Sequence, residues 1–353
     1  MSGGGVITVR GEVRASGLGP CQPHEHLCIE PGPASRVHPA LCIDEPEKTA
    51  VDVRAYKAAG GSALVDAQPV FTGRNAETLL RLSGECGVHI VASTGFHKLM
   101  YYGKDNPFLA LSEDVVAGLF TSEIETGMYG APFYPSGEPL RAEGDVPAPA
   151  DMAGGSGRPC LPGSAARAGV IKAALEPEAT ELHARLFRAA ARASLATGAA
   201  IMIHVDKGAN PLAMAGALAA MGVRGDRLAF CHLDRAEPDI RVHKELASKG
   251  AYIEYDTVAR PKYHSDEREA DIICEMIGAG FADRVLLSLD VTRERLRGYG
   301  GGPGLDYLLT NFMLLLRTRG IGGDQLDTII TGNPARFLAV SPRVEARIEA
   351  AVP

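Results

Sequence analysis

The chain has 353 residues, 46% of them hydrophobic and 22% charged, with a formal net charge of -7 at pH 7. That composition can bury a sizeable core and excludes collagen-like, coiled-coil and disordered classes. The acidic balance offers no clustered Lys and Arg to neutralise phosphates, which excludes nucleic acid as a partner. No stretch approaches the roughly 18 apolar residues of a membrane span. The opening MSGGGVITVRGEV lacks a charged leader followed by an apolar run, so no membrane contact and a cytoplasmic location are expected. Seven cysteines (Cys21, Cys28, Cys42, Cys86, Cys160, Cys231 and Cys274) are scattered without a CxxC pair and read as free thiols.

In chain order, short apolar runs recur, nearly all closing on a polar residue: GPCQPHEHL (19–27), SALVDA (62–67), HIVAST (89–94), AGVIK (168–172), AIMIH (200–204), LAFCH (228–232), AYIEY (251–255) and VLLSLD (285–290). Helical stretches such as EATELHARLFRAAARASLATG separate them, the pattern of buried parallel strands in βα units. Eight such units predict an α/β fold, a (β/α)8 TIM barrel spanning 1–353 as one domain. Residues 131–163 carry seven Pro and six Gly in 33 positions, too many for an element interior. They read as a Pro/Gly-rich insertion leaving the bottom face before the fourth strand.

The C-terminal strand ends of such a barrel face one shared volume. The first strand ends on His24 and His26, the fourth on Lys172, the fifth on His204, the sixth on His232 and the eighth on Asp290. Two residues apart on a strand, His24 and His26 share a face and can hold one cation, although such a pair alone also reads as two satisfied polar histidines. Lys172 closes an apolar run, where desolvation favours the neutral amine. That amine can add carbon dioxide to form a carbamate that bridges two cations as a carboxylate does. Snorkelling to the rim or pairing with Glu176 is the alternative. Asp290 can ligate a cation, take a proton from water or cap the next turn. Asp234, two residues past His232, stands behind the ligands or in a solvated loop. Arg260, Lys262 and Arg293 follow the last two strands as a cationic rim suited to phosphate oxygens, or as ordinary surface. Tyr101 borders a substrate ring or packs the rim. GYGGGPG (298–304) lacks a phosphate-loop ending and reads as a flexible loop over the site.

The succession HEHL, AGVIK, AIMIHVD, CHLD and LSLDVTR, in this order on eight predicted strands, resembles the phosphotriesterase family of the amidohydrolase superfamily. The resemblance runs from about residue 6 to NPARFLA at 333–339, the insertion excepted. It implies that His24, His26 and Asp290 hold one divalent metal ion, that His204 and His232 hold a second, and that a carboxylated Lys172 bridges both. Zinc is expected first, with manganese, cobalt or nickel compatible with the donor set. Within the family, STGFHKLMYY (93–102), YDTVARPKYHSDE (255–267) and DVTRERLRGYGGGPGLDYLL (290–309) are more similar to the branch acting on phosphorylated sugar lactones. A metal-bridging hydroxide opening a phosphorylated furanose lactone is the implied activity, with Asp290 carrying the proton and Arg260, Lys262 and Arg293 meeting the phosphate. One departure stands out: Leu296 occupies a position where an aromatic hydroxyl is expected. The same site acting on unphosphorylated lactones or esters, or on organophosphate triesters, is the alternative activity. A barrel that binds without turnover is a different class, which the full set of six ligand types argues against. The expected state is a homodimer with a small-molecule substrate.

Overall fold

The computed structural model describes residues 4–103, 106–129 and 165–340. The 131–163 insertion falls outside the described residues. All eight predicted strands are present as one parallel sheet: β3 (Cys21–Glu25), β4 (Ala63–Asp66), β5 (His89–Gly95), β6 (Ala168–Leu175), β7 (Ala200–Val205), β8 (Leu228–Cys231), β9 (Tyr252–Tyr255) and β10 (Val285–Leu287). An N-terminal hairpin of β1 (Gly5–Thr8) and β2 (Gly11–Arg14) precedes them. It escaped the sequence reading because β2, GEVR, alternates half-buried and exposed positions and is no apolar run.

Two apolar layers follow from the alternation of side chains along each strand. Val65, Val91, Val170, Met202, Ala229 and Leu286 fill the barrel interior. Leu64, Ile90, Ile171, Ile201, Phe230 and Leu287 point outward into the shell beneath the helices. Helix ends are specified locally. The helix Ala76–Cys86 starts where the Asn75 side chain accepts the Thr78 amide at 3.0 Å and stops at Gly87, whose φ of 65° ends the helix. No helix among the described residues is long and apolar enough to cross a membrane.

The sheet order runs β3 to β10 without a backbone ladder joining its two ends. Side chains close that seam. The Glu25 carboxylate accepts the Leu289 and Val291 amides at 2.8 and 3.0 Å, and Ser288 Oγ accepts the His24 amide at 2.9 Å. The Asp290 amide adds a bond to the His24 carbonyl at 3.2 Å. The glycine-rich run GYGGGPG (298–304) is tied to the barrel at its start. The amides of Arg297 and Gly298 donate to Asp52 at 3.0 and 2.9 Å, and a Cβ on Gly298 would collide with the Lys48 carbonyl.

Candidate metal centre

Alternation along β6 turns Val170 and Lys172 to the same interior face. At β3 the register shifts between Gln22 and Glu25, which brings His24 and His26 round to the face Cys21 occupies lower in the strand. His232 directly follows β8 and Asp290 lies three residues past β10, both in left-handed backbone with φ of 67° and 48°. Such geometry is uncommon for residues with a side chain. Here it is held by the Asp290 amide on His24 and by the His232 amide on Asp256 Oδ2 at 3.2 Å.

These elements bring all six expected residues together. Lys172, wholly buried, places Nζ 2.8 Å from His24 Nε2. Asp290 Oδ1 lies 3.4 Å from His26 Nε2 and 3.9 Å from His24 Nε2. His204 Nδ1 and His232 Nε2 are 2.7 Å apart. The His24 and His232 rings, 4.9 Å between centroids, join the two halves.

The outer nitrogens of three of these rings face carboxylates. His24 Nδ1 lies 3.0 Å from Glu254, His232 Nδ1 2.6 Å from Asp256 and His204 Nε2 2.9 Å from Asp206. For His24 and His204 the carboxylate holds the ring proton on the nitrogen it faces and turns the other lone pair inward, whereas His232 Nδ1 also meets Arg235 Nη2 at 2.8 Å. His204 Nδ1 and His232 Nε2 face each other at 2.7 Å, close enough for one ring to donate to the other or for a cation to take both. The ligating atoms of His24, His26 and Asp290 lie within 4.8 Å of one another as a second such group. The residues therefore fit divalent cations, bound through imidazole nitrogen and carboxylate oxygen.

Electrostatics agrees with that reading. Burial, followed by the Lys172 charge, lowers His24 below the ordinary imidazole range. Burial, opposed by Asp206, lowers His204 to about 4, and burial with Arg235 and His204 takes His232 well below its usual value. Burial pushes Asp290 up, but Arg260, His26 and Arg235 together hold it well below the carboxylate range. The His24, His204 and His232 rings are thus kept neutral and Asp290 ionised, the protonation states that ligation requires.

The remaining expected residues lie around this cluster. Arg260 is buried against it, 3.1 Å from Asp290 Oδ2. Lys262 is exposed, with Nζ 4.9 Å from the centroid of the Tyr263 ring, whose other neighbour is Arg235. Arg293 is turned into the loop after β3, pairing with Asp44 at 2.9 Å and Glu45 at 3.1 Å. Tyr101 is buried edge-on against His97, which is itself 5.5 Å from the His204 ring. Asp234 touches none of the six. Its Oδ2 accepts the Asp256 and Thr257 amides at 2.9 and 2.7 Å and so fixes the strand end that carries Asp256.

Sequence reasoning missed Glu254, Asp256, Asp206 and Arg235. The run AYIEY was closed one residue before Asp256, and Asp206 stood in plain view two residues past His204. Arg235 lies three residues beyond His232 on the short helix Leu233–Ala236, one turn that folds it back over the site. There it donates to Asp256 Oδ1 and Asp290 Oδ2, both at 2.9 Å.

Comparison with known proteins places this geometry. The model of the Phosphotriesterase family matches residues 4–134 and 159–338. A phospho-furanose lactonase of Mycoplasmopsis agalactiae is 30% identical over 350 residues, covering 96% of this chain and 93% of its own. Among solved structures, an amidohydrolase from Mycoplasma synoviae superposes with a TM-score of 0.83 at 26% identity, covering 98% of this chain and 94% of that one. A lactonase from Listeria monocytogenes superposes at 0.79 with 25% identity, covering 96% and 100%.

Proposed function

Because the chain belongs to the phosphotriesterase family, we propose that it is a metal-dependent hydrolase that opens the ring of a phosphorylated furanose lactone. The observation that carries this reading is the 2.7 Å approach of His204 Nδ1 to His232 Nε2 beside the His24, His26 and Asp290 group. The likeness to the Mycoplasmopsis agalactiae phospho-furanose lactonase supports the substrate class.

In this reading His24, His26 and Asp290 would hold one divalent ion, His204 and His232 would hold another, and Lys172, as its carbamate, would complete the donor set. When bound, such ions lower the pKa of water toward neutrality and polarise a carbonyl oxygen. The chain's own residues supply the rest. Asp290, kept ionised by Arg260 and Arg235, accepts the proton from the attacking water and returns it to the ring oxygen that leaves as an alkoxide. Arg235 ties Asp290 to Asp256 and so fixes the angle between the proton acceptor and the His232 ring. The buried ring of Tyr101 and the His97 beneath it wall the mouth on the β5 side. Lys262 on the rim meets the substrate phosphate, and Arg293 joins it by exchanging Asp44 and Glu45 for phosphate oxygens.

A panel of furanose lactones with and without a terminal phosphate, assayed on zinc-loaded protein, tests the reading. The phosphorylated lactones should be preferred, and Lys262→Ala should lower kcat/KM for them about 10-fold or more while sparing the unphosphorylated ring. Preference for the unphosphorylated ring, unaffected by Lys262→Ala, would replace this substrate class. The Asp44 and Glu45 pairs on Arg293, with Leu296 buried beside it, would then explain the change.

A further inference from the structure

Two buried carboxylates and a histidine converge behind the ends of β8 and β9, outside the six residues of the metal centre. Asp234 stands on the short helix Leu233–Ala236, His264 in the loop after β9 and Glu269 in the first turn of the helix Asp266–Gly278. One ligating atom from each lies within 4.8 Å of the other two. Glu269 is wholly buried, and neither of its carboxylate oxygens has a hydrogen-bond partner. Asp234 commits Oδ2 to the Asp256 and Thr257 amides, which leaves Oδ1 buried and without a partner.

Buried carboxylate oxygens left unpaired are costly unless a cation or a proton arrives. Burial, followed by Asp234, pushes Glu269 well above the carboxylate range, and Asp256 and Asp266 act in the same direction. The field at this carboxylate therefore has the sign that draws a cation. His264 supplies a third donor. Its Nδ1 lies 3.1 Å from the Ser265 carbonyl, which can only accept, so in the neutral ring Nδ1 carries the proton and Nε2 presents a lone pair. That nitrogen stands 3.0 Å from Glu269 Oε2 without making a hydrogen bond to it. Donors held by one zinc ion through bonds of about 2.0–2.2 Å stand roughly 3.3 Å apart, a spacing this approach nearly matches.

We propose that Asp234, His264 and Glu269 form a site for one divalent metal ion, zinc by its donor set, separate from the metal centre in the barrel mouth. Two carboxylates and a neutral imidazole balance a divalent charge, and water can complete the coordination. The His264 side chain, 15% exposed, gives the ion a way in. The ion's role is structural: it would tie the helix Asp266–Gly278 to Asp234, which fixes the strand end bearing Asp256. A proton held between Asp234 and Glu269 is the rival occupant.

Equilibrium dialysis of the full chain against buffered free zinc, with bound metal counted by mass spectrometry, tests the proposal on wild type, His264→Ala, Glu269→Gln, Lys172→Ala and the double variant Lys172→Ala/His264→Ala. Circular dichroism confirms that each is folded. Glu269→Gln keeps the side-chain volume and His264 is partly exposed, so the fold can carry either substitution. Each should bind about one zinc fewer per chain than wild type. Lys172→Ala should retain a zinc that the double variant lacks, so a failure of this site and a failure of the hydrolytic reading are told apart. Equal zinc in wild type and either folded single variant at this site would overturn the proposal and leave the shared proton as occupant. Loss of clearly more than one zinc in either would also overturn it, by making these residues supports of the barrel centre.

Discussion

Asp256→Asn is the sharpest probe of how the candidate ligands are oriented. The carboxylate lies 2.6 Å from His232 Nδ1, accepts Arg235 Nη1 at 2.9 Å and accepts the His232 amide at 3.2 Å. Asparagine keeps the volume but replaces one acceptor oxygen with an NH2 donor. Turned toward His232, that donor moves the ring proton to Nε2, where the lone pair is needed. Turned toward Arg235, it sets two donors against each other and leaves that guanidinium with only Asp290 Oδ2 and His232 Nδ1. Either way a charge-assisted bond worth about 1.5–3 kcal/mol is lost. Carboxylates behind a metal-bound histidine contribute about 10- to 100-fold in metal affinity, which is about 1.4–2.7 kcal/mol, so the two routes agree. Zinc affinity should be measured by chelator competition at one pH in wild type and variant, with folding checked by circular dichroism. A folded Asp256→Asn protein that binds zinc within twofold of wild type would refute the argument that Asp256 sets the His232 tautomer.

Lys172→Ala should lose metal and hydrolysis together, from about two divalent ions per chain in wild type, with partial recovery in acetate or formate; unchanged metal content would remove Lys172 from the centre. Asp290→Asn should retain most of its metal while kcat falls by about 10² or more, and near-normal turnover at full occupancy would assign the proton to another group. Proton competition for the histidines should begin late, because burial holds His204 at about 4 and His24 and His232 below the ordinary range. A folded pKa under the ambient pH keeps the ring neutral, so metal content after dialysis at pH 6 should match that at pH 7.5 and fall only as pH approaches about 4. Loss of more than half the metal by pH 6 would show rings that titrate normally.

The barrel was legible because each strand is a short apolar run between helical patterns, and the candidate ligands were legible because they stand at the ends of those runs. His204 and Lys172 needed only strand alternation to be aimed correctly. The partners of those residues were less visible. Glu254 reads as one polar residue inside an apolar strand, and only the closed ring reveals that it faces His24, 230 positions away. Arg293 was placed on the correct rim, but nothing in TRERL announces that Asp44 and Glu45 already hold its guanidinium. The hairpin β1–β2 was lost because its second strand, GEVR, has no buried apolar face. Long-range pairings of this kind depend on which loops meet across the barrel, and local pattern carries no record of that.

The seam between β3 and β10 bears on how the chain assembles. Its clasp joins His24 to Ser288 and Glu25 to Leu289 across 264 positions, whereas most other neighbours in the ring are separated by a single βα unit. The entropy of closing a loop rises with its length, and distant pairings form late. The clasp therefore carries the largest loop-closure cost in the ring. His26 and Asp290 lie on opposite sides of that fastening and come within reach of each other only when it closes. A chain still missing its eighth barrel strand carries His204 and His232 but not the pairing of His26 with Asp290, so the completed constellation arises in the same event that completes the fold.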